Sequence, residues 1–119
     1  MTDLKFKTEL HGEYLRIDVW GDFAFDAMMG LIDVFLAETR ASDRTCLLVD
    51  CTQMKGHVTE PNKYFIAEKI AFTFRAAVKT ALVMPEGKVT KLGEIVAVNR
   101  GAHFFVSDSE PEALKWLIG

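Results

Sequence analysis

Cys46-Leu47-Leu48-Val49 is an apolar run with no polar face, closed by Asp50. A strand of that kind needs cover on both sides, which predicts a central parallel strand lying between helices. Val78 to Met84 and Phe104-Phe105-Val106 repeat the pattern. Strands apolar on both faces, alternating with helical stretches, imply right-handed crossovers and a mostly parallel sheet.

The stretches between them fit that frame. Leu4 to Leu10 alternates apolar with Lys5, Lys7 and Glu9; His11-Gly12-Glu13 turns the chain; Tyr14 to Trp20 alternates again, with Arg16 and Asp18 on the wet side. These two segments predict an antiparallel hairpin, broken at Gly21-Asp22. Phe25, Met28, Met29, Ile32, Phe35 and Leu36 recur at spacings of three and four, an amphipathic helix ending near Ala41-Ser42-Asp43. Gln53 to Val58 reads as a polar loop. Thr59-Glu60-Pro61 opens a second helix running to about Ala76. Leu92, Ile95, Val96 and Asn99 share a face of a third helix, with Gly101 as its C-cap.

The last segment is the best punctuated. Ser109 and Glu112 have capping-box spacing, and Pro111 sits in the first turn, where its missing N–H costs nothing. Trp116 is expected to close the core beneath this fourth helix. The predicted order is β-β-α-β-α-β-α-β-α, an α/β domain of five strands spanning residues 1–119 of the 119-residue chain.

Composition narrows the function classes. A net charge of -3 argues against a nucleic-acid footprint, which needs a basic stripe. No apolar run approaches the roughly 20 residues of a membrane span. Met1-Thr2-Asp3-Leu4-Lys5 does not read as an export signal. Cys46 and Cys51 would lie roughly 16 Å apart on one strand at about 3.3 Å per residue. A disulfide needs Cα atoms within about 7 Å, so two reduced thiols in a cytoplasmic protein are expected.

No metal or cofactor is expected. His11, His57 and His103 are scattered, and no His-Glu-x-x-His or Cys-x-x-Cys occurs. Pro85-Glu86-Gly87-Lys88-Val89-Thr90 fails as a phosphate loop, because the first glycine would fall at Leu82 inside a strand. Asp50, Cys51 and His57 would make a nucleophile and base only if the fold brought them together. Met54, Lys55 and His57 give the loop before the second helix an apolar and basic character, a candidate partner surface. Thr59 at the helix start is either an N-cap or a regulatory site, because a phosphate there would meet free N–H groups and the positive end of the dipole. Tyr64, Phe65, Ile66, Ile70, Phe72 and Phe74 wrap most of the second helix. Phe65 and Phe72 would lie under the adjacent helix or loop, or Phe65, Phe72, Phe74 and Ile95 would form a homodimer surface or line a pocket for an apolar ligand.

Several stretches carry a family resemblance. They are Leu48-Val49-Asp50 closing the central strand, Glu94-Ile95-Val96-Ala97-Val98-Asn99-Arg100-Gly101, and Phe105 to Leu117. With this element order, the chain resembles the STAS-like or SpoIIAA-like family, and most closely its small bacterial domains of STAS/SEC14 type. The resemblance implies a non-enzymatic binding or regulatory module with a protein partner. The alternative it implies is a carrier or sensor of a small hydrophobic, lipid-like molecule. In the anti-sigma-factor antagonists of this family, the loop after the central strand bears an Asp-Ser-Ser-Gly-like motif whose serine is phosphorylated. Here that loop reads Cys51-Thr52-Gln53-Met54-Lys55-Gly56-His57-Val58-Thr59. The motif is absent, and Thr59 is the nearest hydroxyl to the equivalent helix start.

Overall fold

The computed structural model describes residues 4–119. The expectation that the first residues carry no export signal therefore falls largely outside the described residues. The elements are β1 (Lys5–Leu10), β2 (Leu15–Asp22), α1 (Phe25–Ala41), β3 (Cys46–Lys55), α2 (Glu60–Phe74), β4 (Lys79–Val83), α3 (Leu92–Asn99), β5 (His103–Ser107) and α4 (Glu110–Ile118). The sheet has the order β1-β2-β3-β4-β5. β1 is antiparallel to β2, and the remaining pairs are parallel. The five-stranded α/β architecture with an N-terminal hairpin is thus the one the alternation predicts.

Strand order follows chain order, so each parallel connection steps one strand in the same direction. Right-handed crossovers then place their helices on one face of the sheet. The main core matches this. Ile17, Leu47, Val49 and Phe104 from the strands pack with Ile32, Ala67, Ala71 and Ala97 from α1, α2 and α3. α4 follows the last strand and is free of that constraint. It covers the opposite face, where Ala113 and Leu117 pack on Leu48, Ala81 and Val83. α4 packs mainly on β3, β4 and β5, and touches β2 through the Glu110–Arg16 ion pair.

Two boundaries differ from the sequence reading. Gln53, Met54 and Lys55 are strand rather than loop, and Gly21-Asp22 prolongs β2 instead of breaking it. The cause is a bulge: Asp18 pairs with Asp50, but Trp20 pairs with Gln53, so β3 carries one extra residue. Asp50 Oδ1 accepts hydrogen bonds from the backbone N and the hydroxyl of Thr52, at 2.9 and 2.7 Å, which fixes the distortion. The extra residue reverses the alternation. Leu47, Val49 and Cys51 face the main core, and beyond the bulge Met54 does so too.

α4 is also capped differently. Ser109 Oγ accepts from Glu112 N at 3.3 Å, half of a capping box. The return half runs through Ser107: its hydroxyl accepts from Ser109 N at 3.0 Å and donates to Glu112 Oε1 at 3.2 Å. Trp116 is half-buried rather than the core plug expected. It stacks on Phe105 with centroids 5.2 Å apart, under Lys79 Nζ. Ala113 and Leu117, fully buried, anchor the helix instead. Cys46 and Cys51 are free and point to opposite faces.

Candidate functional site

The end of β3 and the start of α2 form a short exposed edge at the C-terminal side of the parallel strands, the side on which open α/β sheets place ligands. Lys55 O accepts from Phe23 N at 2.8 Å, closing the end of the strand. Gly56 follows with φ of 101°, where a Cβ would be strained and would sit 3.6 Å from Phe23 Cβ. The turn tucks Val58 into the core and leaves His57 and Thr59 exposed on either side of it. Thr59 Oγ1 accepts from Asn62 N at 3.3 Å, and Pro61 lies in the first turn of the helix. The cap that the sequence indicates is present, and its hydroxyl lies at the helix surface.

Lys55, His57 and Thr59 are therefore on one exposed segment. Met54 is not on that surface: it is buried in the main core, turned inward by the bulge. Lys55 also borders a shallow concavity on the open face of β1–β3, with Lys7, Asp18, Trp20, Asp50 and Gln53. Beside it lies a charge cluster that the sequence reading did not find. The Arg16 guanidinium donates to Asp18 Oδ1 at 2.9 Å, Asp50 Oδ2 at 2.6 Å and Glu110 Oε1 at 2.7 Å. Partial burial disfavours its charge, but the bonds to Glu110 and Asp18 prevail and hold Arg16 more firmly protonated than usual. Only the alternation of Arg16 and Asp18 on the wet face hinted at this cluster; Asp50 and Glu110 are brought in by the fold.

Cys51 and His57 do not form a catalytic pair. Cys51 is 1% exposed, and burial, reinforced by the charge of Asp50, pushes its thiol up to about 12. A thiol in that state carries almost no thiolate near neutral pH, while His57 is on the outside. Among the described residues no cluster of three His, Cys, Asp or Glu could hold a metal ion. Among the same residues no helix is long and apolar enough to cross a membrane.

The aromatic residues of α2 separate. Phe65 and Phe72, 50% and 74% exposed, are on its outer surface, and Ile95 of α3 is exposed beside Val98. Phe74 points the other way, into the core, where it helps line a cavity of about 90 Å³ between the sheet and the helices. These four residues therefore do not share one pocket.

No protein-family model and no curated protein sequence matches the chain. Solved structures do match in shape. An anti-sigma factor antagonist from Mycobacterium paratuberculosis superposes with a TM-score of 0.60 at 13% identity, covering 98% of this chain and 96% of that one. A protein of Shewanella loihica PV-4 described as having a SpoIIAA-like fold gives 0.55 at 16% identity, covering 98% and 95%. The fold is SpoIIAA-like. The anti-sigma factor antagonist SpoIIAA itself, in its unphosphorylated form, gives 0.51 at 14% identity, covering 93% of this chain and 94% of its own. SpoIIAA-like architecture thus extends over nearly the whole chain.

Proposed function

We propose that the chain, working as one domain over 1–119, is a non-enzymatic, cytoplasmic regulatory module that binds a protein partner through Lys55, His57 and Thr59. The observation that carries this reading is the exposed, hydroxyl-capped start of α2 beside two exposed basic residues. The SpoIIAA-like fold supports it, since two of the matching structures are anti-sigma factor antagonists, one of them described by its phosphorylation state. A helix N-terminus presents free N–H groups and a positive dipole end, so charge added at Thr59 alters the surface without touching the core. Outward-facing Phe65, Phe72 and Ile95 are the residues a homodimer would use.

The test is quantitative capture of partners from host lysate, comparing the parent with Thr59→Glu, Thr59→Ala and the double variant Lys55→Glu/His57→Ala. Thr59→Glu and the double variant are expected to lose the partner recovered by the parent. Thr59→Ala is expected to retain it, at a stability cost of about 1 kcal/mol for the lost cap. Equal recovery by all four proteins would show that this edge is not the working surface.

A further inference from the structure

We propose that the cavity between the sheet and α1–α3 is a binding site for a small neutral molecule with an apolar body and one hydroxyl or carbonyl group, hydrogen-bonded to Thr80 Oγ1. The cavity holds about 90 Å³, and its walls include Val49, Leu82 and Val106 of the sheet and Ile32, Ile70 and Phe74 of the helices. Thr80 also lines it. That residue is 2% exposed, and among the described residues its hydroxyl has no hydrogen-bond partner. A buried hydroxyl left unpaired is destabilising and is uncommon in folded proteins. Valine would fill the same volume without that cost.

The surroundings of Thr80 define the missing partner. A water would need two to four polar neighbours, and besides Thr80 the described side chains of the inner wall offer only weak sulfur partners, the Cys51 thiol and the thioethers of Met28, Met54 and Met84. A charged group at that depth would be desolvated without a counter-ion. Lys63 at the rim is already engaged by Glu60 Oε1 at 3.1 Å and Thr90 Oγ1 at 3.0 Å. An apolar molecule with no polar group would leave the Thr80 hydroxyl unpaired. A neutral molecule with one polar group satisfies both the wall and the hydroxyl.

Size and direction follow from the same geometry. An engineered protein cavity of about 150 Å³ holds benzene, so this smaller one suits a molecule of about the size of ethanol. Thr80 lies near the N-terminal end of β4. The exposed rim residues Lys88 and Thr90 follow the C-terminal end of that strand. The molecule therefore enters at the rim with its polar group leading. The site goes beyond the recognition reading and does not depend on it.

The test uses the whole chain with ethanol and dissolved propane, nearly isosteric probes that differ in the hydroxyl, followed by methyl NMR. Saturable shifts at Val49, Leu82 and Val106 are expected with ethanol. Thr80→Val is expected to weaken ethanol about fivefold, the worth of one hydrogen bond, and to leave propane binding within a factor of about two. In the parent, the C1 methylene of bound ethanol is expected to show the stronger intermolecular NOE to the Thr80 methyl. This second measurement stands even if the variant does not fold. Absence of saturable cavity shifts, unchanged ethanol affinity in Thr80→Val, or an NOE showing the methyl of ethanol nearer to Thr80 would each overturn the proposal.

Discussion

Cys51 illustrates how a reactive residue type is silenced by its position. Its thiol sits at the bulge of β3, in the main core and next to the Asp50 carboxylate. Both surroundings disfavour the thiolate and raise the folded value from 9.0 to about 12. The folded state therefore holds this proton more tightly than the unfolded chain does. The contribution to stability is complete below about pH 9 and is lost as pH rises toward 12. Thermal melts of the parent are expected to fall across that window more steeply than those of Cys51→Ala; parallel curves would contradict the burial argument. Alkylation at pH 8 should label Cys46 and spare Cys51 until the protein unfolds.

At the scale of elements, α4 shows what punctuation can and cannot reveal. Its start was legible, because Ser109, Pro111 and Glu112 carry local chemistry that needs no tertiary context. Its anchor was not. Trp116 is the largest side chain of the helix, yet Leu117 and Ala113 fill the space above Leu48 and Val83. Which residues of a short helix point down depends on its angle to the sheet, and that angle is set by packing. Leu117→Ala is expected to cost ~2–5 kcal/mol, and Trp116→Ala less than the ~3–5 kcal/mol of a fully buried tryptophan. Denaturant unfolding of the two variants checks the order; a larger loss for Trp116→Ala would reverse the assignment. β3 offers the same lesson. Its apolar half announced a central strand, but the bulge after Asp50 leaves no mark in hydropathy. Met54, which looked like surface, is core for that reason.

For the whole molecule, the sheet order places α1, α2 and α3 on one face, and α4 covers part of the other. The Arg16 cluster joins β2 and β3 to the first turn of α4 through Asp50 and Glu110, at the border of the uncovered region. Arg16→Met would leave Asp50, whose side chain is 14% exposed, without its cation. The expected loss is about 1–3 kcal/mol. Glu110→Gln should cost less than about 1 kcal/mol, since Glu110 is 42% exposed. An unchanged denaturation midpoint for Arg16→Met would show that the cluster does not tie the helix down. The hairpin and the parallel direction of the later strands were readable from the apolar patterns. The cluster was not, because Asp50 and Glu110 lie far from Arg16 and Asp18 in sequence and on other elements.

The most direct test of the account is amide NMR of the labelled chain titrated with the partner that it captures. The account predicts shifts concentrated from Lys55 to Lys63, and their loss in Thr59→Glu. Shifts confined to the outer faces of α2 and α3, at Phe65, Phe72 and Ile95, would contradict it and move recognition to the exposed aromatic surface.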